Sequence, residues 1–288
     1  MRLITYRFQD TEHVGALTAD GTAVQPLPFP DMNALIESTS LPALRAVVEA
    51  AGQRDTPIPL ADVALLSPIP RPRQDVLCLG MNYTDHAKEA AQYDAGAFTK
   101  EKPVAVYFSK RVSCAVPPDG CIERHEDLVD RLDYEVELAV ILGRAARDVR
   151  PEEAADYIFG YTILNDVSAR DLQTGHKQWY FGKSLDGFTP MGPCIVTADE
   201  IAYPPALDIS ARVNGELRQS SNTRFFITTI TDALVELTAG MTLLPGTIIA
   251  TGTPAGVGMG FDPPKFLQTG DVVECSIQEI GTLRNTVR

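Results

Sequence analysis

The sequence predicts a strand-rich α+β fold. Segments rich in valine, isoleucine and threonine recur along the chain, and turn signals follow one another at short intervals from residue 193 onward. Helical periodicity is limited to a few segments between those strands. With 288 residues, the chain is long enough for one large domain, or for a large domain with a small one.

Residues 1–66 are predicted to form a small N-terminal α/β domain. The segments "RLITYRF" and "HVGALTADGTAVQPL" are typical of short strands, with a turn at Ala19–Gly21. A single helix is expected over "DMNALIESTSLPALRAVVEAAG", capped by Asp31 or Asn33 and ended by Gly52.

The proline-rich segment "SPIPRPRQ" (67–74) is the predicted linker, and residues 75–288 are predicted to form the larger domain. That domain begins with a strand, a turn at Gly80 and a helix in "DVLCLGMNYTDHAKEAA". A helix that starts near Pro151 should run into a strand within "YIFGYTILNDVSA". One more helix is expected late in the chain, in "FFITTITDALVELTAGM".

Charge and composition exclude several classes of function. Net charge is −13 and the pI is near 4.7, which argues against a nucleic-acid partner because such binding needs a basic surface. No apolar run approaches the roughly 20 residues that cross a bilayer, and the start lacks the apolar core of a signal peptide. Five scattered cysteines without a C-x-x-C pair favour free thiols in a reducing compartment. We therefore expect a cytoplasmic protein without a membrane partner.

The stretch "LDYEVELAV" (132–140) places three acids in a strand-like pattern. Asp133, Glu135 and Glu137 alternate with apolar residues, so they should share one strand face, where they repel unless something positive lies between them. With Asp166, which ends a later strand, the two glutamates make an all-oxygen set that suits Mg²⁺, Mn²⁺ or Ca²⁺. Spacing alone leaves a solvated strand face as the alternative. For Asp133 we expect a solvated position, and support of the ligand set from behind is the alternative.

Five blocks of the sequence, taken in order, resemble the fumarylacetoacetate hydrolase family. They cover roughly residues 75 to 280 and read "DYEVELAVILGR", "GYTILNDVSARDLQ", "GKSLDGFTPMGP", "VNGELRQ" and "ATGTPAGVG". The resemblance implies a mixed β-sandwich roll, usually a homodimer, with Mg²⁺ or Mn²⁺ held by Glu135, Glu137 and Asp166. Under this interpretation the cation removes the repulsion between the two glutamates.

The resemblance also implies substrate contacts around that metal. Lys183 in "FGKSLDGF", otherwise an ordinary surface lysine, would face the substrate's oxygens and stabilise enolate charge. Gln173 would contact the substrate. Arg170, three residues earlier on the same helical face, is a substrate-binding candidate that would act mainly from behind, and pairing with Asp171 or a nearby glutamate is the alternative. An aromatic wall is expected from the segment "KQWYFGKSLDGF", through Trp179, Tyr180, Phe181 and Phe188.

The glycine-rich stretch "TGTPAGVGMG" (251–260) does not predict a nucleotide site. It lacks the G-K-[ST] ending of a P-loop, and Phe261 stands where the last glycine of G-x-G-x-x-G would be. We expect a tight loop beside the substrate cavity. The resemblance implies that Thr253 of this loop binds a substrate carboxylate through its hydroxyl or its backbone N–H.

"DHAKEA" carries a candidate acid–base dyad. His86 and Glu89 are three residues apart, which puts them on one helical face, and a carboxylate can orient an imidazole and raise its basicity. A lone histidine is more often structural, but the resemblance supports this pair, because family members that cleave acylpyruvates carry H-x-x-E here. The polar segment that follows, up to about residue 103, is a candidate for a lid that orders on binding.

Together these features predict a metal-dependent hydrolase that cleaves a C–C bond in a 2,4-diketo acid of the acylpyruvate type through a metal-stabilised enolate. His86 would activate water, and a small 2-oxo acid would be the substrate. The same chemistry serves oxaloacetate decarboxylation or isomerisation of an unsaturated 2-oxo or 2-hydroxy diacid. An inactive small-molecule binding protein of the same fold is the alternative from outside enzymology.

Overall fold

The computed structural model describes residues 1–90 and 104–288 of the chain. The strand-rich α+β class is confirmed by its secondary structure. Most of the segment predicted to act as a lid lies outside the described residues. No helix in the described ranges has the length and apolar character needed to span a bilayer.

The strands are mostly short and distributed along the whole chain. In order they are β1 (Arg2–Phe8), β2 (Thr11–Leu17), β3 (Ala23–Pro26), β4 (Ile58–Pro59), β5 (Ala64–Leu65), β6 (Val76–Gly80), β7 (Val106–Lys110), β8 (Cys121–Ile122), β9 (Leu132–Asp133), β10 (Val136–Leu142), β11 (Ile158–Asn165), β12 (Ser168–Ala169), β13 (Met191–Thr197), β14 (Asp208–Val213), β15 (Glu216–Asn222), β16 (Ile248–Ala250), β17 (Val272–Ile277) and β18 (Gly281–Val287).

Helices are fewer and lie between these strands. They are α1 (Met32–Ser38), α2 (Leu41–Arg54), α3 (Thr84–Ala90), α4 (Arg170–Gly175), α5 (Tyr180–Lys183) and α6 (Ile230–Thr238). The predicted late helix is α6, whose N-cap Thr229 and Asp232 form a capping box.

Two expected helices differ from the structure. The single helix predicted over residues 31–52 is two helices, because the chain is extended at Thr39 and Ser40 between α1 and α2. Asp31 caps α1 through the N–H of Ala34, as expected, but α2 continues past Gly52 to Arg54. The helix expected from Pro151 is a 3₁₀ segment, Pro151–Tyr157, that leads into β11.

One sheet runs through most of the described chain. Its order is β4-β3-β2-β1-β13-β11-β10-β16-β6-β7, with β5 paired to β1. The first strand enters it by antiparallel pairing with β13, where Leu3 lies opposite Ile195. A second sheet has the order β15-β14-β17-β18-β8, and β9 pairs with β12 in a short third sheet.

The large sheet is buried on both faces around its centre. Leu138 and Val140 of β10 belong to a core cluster that also contains residues of β14, β17 and α6. Ala139 and Ile141, which point the other way, belong to a second cluster with residues of α1 and α2. Strand β10 is therefore apolar along nearly its whole length, as a central strand covered on both faces should be.

Candidate metal centre

Three carboxylates meet where β10 begins and β11 ends. Glu135 precedes β10, Glu137 lies in it, and Asp166 follows β11. These strands pair antiparallel with Val136 opposite Asn165, which brings the start of one to the end of the other. One oxygen atom from each acid lies within 4.8 Å of the others, and all three side chains are buried.

The strand that carries these acids is interrupted. Tyr134 and Glu135 lie between β9 and β10, so the continuous alternation expected over residues 132–140 is broken at the site itself. Two hydrogen bonds to the end of β11 stabilise the backbone at this interruption. The N–H of Glu135 donates to Asn165 Oδ1 at 3.0 Å, and the N–H of Asp166 donates to the Glu135 carbonyl at 2.8 Å. These bonds fix the backbone on which two of the three carboxylates stand.

Lys183, at the end of α5, lies between two of the acids. Its Nζ is 2.8 Å from Glu135 Oε2 and 2.7 Å from Asp166 Oδ2. The ammonium also lies 5.2 Å from the ring centre of Phe108. The lysine therefore binds two of the candidate metal ligands directly, a pairing that the sequence did not indicate, and its contact with a substrate stays a prediction.

Sequence reasoning missed Lys110. This fully buried lysine ends β7, and its Nζ donates to Asp166 Oδ1 at 2.5 Å and to the carbonyl of Val167 at 3.0 Å. In "VAVYFSK" it is a lone lysine at a strand end, which is usually a surface charge. Only the pairing of β7 beside β6 at the sheet edge carries it to the acids.

Of the two positions considered for Asp133, the solvated one is wrong. Its carboxylate is completely buried and accepts from the N–H groups of Gly258 and Met259 at 2.7 and 3.0 Å. It also accepts from Arg170 Nε at 2.8 Å. A buried carboxylate needs such donors, because an unpaired charge in the interior is strongly disfavoured.

Arg170 connects Asp133 to the acid cluster. Its Nη2 lies 2.6 Å from Glu135 Oε1, and its Nη1 donates to Gln173 Oε1 at 3.0 Å. Both side chains are buried and line the same cavity, as their spacing on one helical face predicted. In this arrangement Arg170 orients Gln173 and Glu135 together.

The two glutamates differ in their electrostatic surroundings. Burial opposes ionisation of Glu135, but the charges of Lys183 and Arg170 outweigh it and lower the pKa of Glu135 to about 2. Burial also raises the pKa of Glu137, and there the negative charges of Asp166 and Glu135 add to the effect. Glu137 accepts the N–H of Gly252 at 2.7 Å, yet no described lysine or arginine forms an ion pair with it.

His86 and Glu89 form the contact that their spacing predicted. His86 Nδ1 lies 2.9 Å from Glu89 Oε2 on α3, and the other carboxylate oxygen accepts the N–H of Gly256 at 3.0 Å. If Nδ1 carries the proton that this bond calls for, Nε2 is the nitrogen able to accept a proton. His86 is buried, and it lines the same cavity as the acids.

Thr253 is held by Gln219, which is another site residue that the sequence did not identify. Its hydroxyl donates to the carbonyl of Val136 at 2.9 Å and accepts from Gln219 Nε2 at 2.8 Å. Because that hydroxyl has a single hydrogen, the backbone N–H is the group left for a substrate carboxylate. Gln219, on β15, also donates to Pro254 and accepts the N–H of Val136.

Part of this network lines a cavity of about 640 Å³. Of the four aromatic residues expected in its wall, Trp179 lines it, Phe188 is buried in the core, and Tyr180 and Phe181 are exposed. Cationic and amide side chains line it beside the acids: Arg131, Arg170, Gln173, Lys177 and Lys183. A cavity of this size and polarity suits a small anionic molecule.

The acid cluster fits a hard divalent cation. Its donors are carboxylate oxygens, which Mg²⁺, Mn²⁺ and Ca²⁺ prefer, and their 4.8 Å spread is on the scale of one coordination shell. Glu137, whose charge is opposed by its neighbours, is the ligand that such a cation would stabilise most. Glu135, Glu137 and Asp166 are therefore the residues able to hold the ion.

The chain is similar to known proteins both in sequence and in fold. A family model described as fumarylacetoacetate (FAA) hydrolase C-terminal matches residues 75–288. Oxaloacetate tautomerase YisK of Bacillus subtilis (strain 168) is 46% identical over 228 residues, which are 79% of this chain and 74% of that protein.

Solved structures extend the likeness to the whole chain. The fumarylacetoacetate hydrolase EaFAH from psychrophilic Exiguobacterium antarcticum has a TM-score of 0.85 and 40% identity, covering 100% of this chain and 99% of that chain. Maleylpyruvate hydrolase from Sphingobium sp. SYK-6, in complex with manganese (II) ion and pyruvate, has a TM-score of 0.77 and 30% identity, covering 100% and 98%. On its sequence and its fold, this chain belongs to the fumarylacetoacetate hydrolase family.

Proposed function

We propose that this protein is a divalent-metal-dependent enzyme that hydrolyses a C–C bond in a 2,4-diketo acid. The observation that carries the proposal is that His86, held by Glu89, lines the same cavity as Glu135 and Glu137 of the three-carboxylate cluster. A dyad of this kind can act as a general base, which hydrolysis needs in order to activate water. The manganese and pyruvate bound by the maleylpyruvate hydrolase relative support the same class of reaction.

The residues of the site would have separate roles in proton transfer and in substrate binding. His86 would take a proton from water at Nε2, with its ring held by Glu89 through Nδ1. Lys183 and Arg170 would bind and orient the oxo-acid, and their positive charges would stabilise the enolate that forms as the C–C bond breaks. Mg²⁺ or Mn²⁺, held by the three carboxylates, would supply Lewis-acid stabilisation of the oxo-acid's oxygens.

A second candidate is keto–enol conversion or decarboxylation of oxaloacetate. The 46% identity to a protein named oxaloacetate tautomerase favours it. Arg131 and Lys177 at the cavity also favour a substrate with a second carboxylate. For such a substrate, Arg131→Gln and Lys177→Gln should raise the KM for oxaloacetate more than the KM for acetylpyruvate.

A substrate panel tests the proposal. Acetylpyruvate, fumarylpyruvate, oxaloacetate and 2-oxohept-3-ene-dioate should be assayed with Mg²⁺ or Mn²⁺, and with a chelator as control. Release of pyruvate and a carboxylic acid from a diketo acid supports hydrolysis, whereas loss or tautomerisation of oxaloacetate alone supports the second candidate. No metal-dependent conversion of any of the four would refute both.

Two variants connect the activity to the site. Glu135→Gln should abolish turnover while circular dichroism shows an intact fold, because it removes one ligand charge without removing bulk. His86→Ala should lose diketo-acid hydrolysis by about 10²-fold or more. His125→Ala is the matched control, because that ring does not line the cavity and contacts the Asp186 carbonyl instead. Full activity in His86→Ala would contradict the role of the dyad.

A further inference from the structure

Residues 256–260, the site loop, bind two carboxylates near the cavity through backbone N–H groups. The N–H of Gly256 donates to Glu89 Oε1 at 3.0 Å. Two and three residues later, the N–H groups of Gly258 and Met259 donate to the two oxygens of Asp133 at 2.7 and 3.0 Å. One short stretch of chain therefore binds two carboxylates that belong to different elements, α3 and β9.

Each carboxylate in turn holds a side chain that lines the cavity. Glu89 uses its second oxygen on His86 Nδ1, so the loop fixes the orientation of the dyad. Asp133 accepts from Arg170 Nε at 2.8 Å, so the same loop fixes the guanidinium that reaches Glu135. Backbone N–H groups suit this purpose because they carry no side-chain rotamers that must be ordered.

We propose that the site loop is a shared positioning element, which orients the His86–Glu89 dyad and Arg170 relative to each other. Glu89 and Asp133 act as positioning residues that transmit the loop's geometry. The two sides of the cavity, the proton-transfer side and the anion-binding side, are then aligned by one backbone segment. Its catalytic readout rests on the proposed function, whereas the contacts themselves can be tested without turnover.

Gly260 offers a selective way to disturb this arrangement. A Cβ added there would lie 2.2 Å from Glu89 Oε1 and 2.4 Å from its Cδ. Because those atoms are the far end of a flexible side chain, Gly260→Ala should move the carboxylate rather than the loop. Gly52→Ala is the matched control. Gly52 lies in α2, far along the chain from the cavity residues, and its added Cβ would meet only Gln25 Oε1, at 3.8 Å.

The first experiment is a double-mutant cycle on turnover. Gly260→Ala should lower kcat about tenfold or more with KM changed less than about twofold, because the dyad transfers a proton and does not bind the substrate. In the background of Glu89→Ala, where the carboxylate is already gone, Gly260→Ala should change kcat by less than about twofold. An additive loss in both backgrounds would mean that the methyl group damages the loop generally, and would overturn the proposal.

The second experiment needs no substrate. In ¹H–¹⁵N spectra of glycine-labelled protein, the Gly256 amide resonance should move in both Gly260→Ala and Glu89→Ala, and should stay in place in Gly52→Ala. If it stays in place in Gly260→Ala, the proposed contact is wrong even if the enzyme is active. If the panel shows no turnover but the resonance moves, the proposed function fails and the loop contact stands.

The shared character of the loop has its own test. Asp133→Asn removes the charge that the Gly258 and Met259 amides bind, so the Gly258 resonance should move directly. The Gly256 resonance should move as well, although no bond joins Asp133 to Glu89, because one rigid loop connects them. Asp133→Glu, which keeps the charge but extends the side chain, serves the same purpose if Asp133→Asn does not fold. A shift confined to Gly258 would show that the two contacts are independent.

Discussion

At the residue scale, the buried carboxylates of the site outnumber its buried cationic side chains by one. Four carboxylates and three cationic side chains are packed together in the described interior: Asp133, Glu135, Glu137, Asp166, Lys110, Arg170 and Lys183. When all are ionised, one negative charge is left over, and Glu137 is the acid without an ion-paired partner among the described side chains. A divalent cation would turn that deficit into one net positive charge, which suits an anionic substrate.

Lys183 competes with a metal ion for the same oxygens. Its ammonium binds Glu135 and Asp166, two of the three candidate ligands, and its charge repels a dication. We therefore predict that Lys183→Met binds Mn²⁺ more tightly than the wild type, by about tenfold, and loses turnover; a factor of ten corresponds to about 1.4 kcal/mol. Titration calorimetry of chelator-treated protein measures the affinity. Lys265→Met, which changes an exposed lysine paired with Glu216, is the control. Weaker Mn²⁺ binding by Lys183→Met would contradict the arrangement.

The raised pKa of Glu137 predicts a pH-dependent response to metal. In the folded protein, burial and the neighbouring acids raise the pKa of Glu137 and so favour its protonated form. Without metal, the stability that this group contributes is fully present below its unfolded pKa and is lost as pH rises through its folded pKa. A cation favours the ionised form, and a proton competes with it at low pH.

The increase in Tm produced by Mn²⁺ should therefore be larger at pH 8 than at pH 5.5. Differential scanning fluorimetry at fixed free metal concentration measures it, and Glu137→Gln should flatten the dependence. The opposite trend, a larger shift at the lower pH, would count against Glu137 as a ligand.

At the scale of elements, the site exists because strand ends from different parts of the sheet converge. β7 brings Lys110, β11 brings Asp166, and the short α5 brings Lys183. The second sheet contributes Gln219, whose amide joins the first residue of β10 to the loop after β16. This fully buried side chain therefore links the two sheets at the cavity.

Removing that amide should cost stability at the junction. Gln219→Leu keeps the size of the side chain but leaves the Val136 N–H and the Pro254 carbonyl without their partner, which should lower the free energy of unfolding by about 3 kcal/mol. Urea denaturation measures the change. Gln278→Leu, at an exposed glutamine in the turn after β17, removes only a surface bond from the Asp208 N–H at 3.2 Å and should change it by less than about 0.5 kcal/mol. Equal effects of the two variants would show that the buried amide is unimportant.

At the scale of the whole molecule, the N-terminal strands and helices complete the large sheet. β1 pairs with β13, and the side chains of Leu3, Leu35 and Leu44 pack in the same cluster as Ile141 of β10. Even the predicted linker is packed, since Ile69 is fully buried and the Pro68 carbonyl accepts the hydroxyl of Thr5 at 2.7 Å. The homodimer stays a prediction, which light scattering in solution would check.

Deleting residues 1–66 should therefore unfold the rest of the chain. Each buried leucine or isoleucine contributes about 1.5–3 kcal/mol, and losing several at once exceeds the 5–15 kcal/mol that stabilises a typical domain. We expect no cooperative thermal transition for residues 67–288 alone, and partial recovery when residues 1–66 are supplied as a second chain. A cooperative transition close to that of the full chain would instead support an independent N-terminal domain.

The sequence by itself determined the features that depend on local spacing. Glu135 and Glu137, two apart at the start of β10, and His86 and Glu89, three apart in α3, are close together because of their local spacing. Strand β11, the Asp166 that follows it, and the late helix α6 were predicted from similarly local patterns. The five sequence blocks that resemble the family are also local patterns, since each is a short run of neighbouring residues.

Only the tertiary structure decided which charges pair in the interior. Lys110 and Asp166 are 56 positions apart, and Gln219 and Val136 are 83 apart, so no local pattern marks either contact. Asp133 looked solvated because a strand pattern cannot show what covers its outer face, and here the site loop covers it. The physical reason is that periodicity specifies which side chains share a face, whereas burial and charge pairing depend on what the rest of the chain brings to that face.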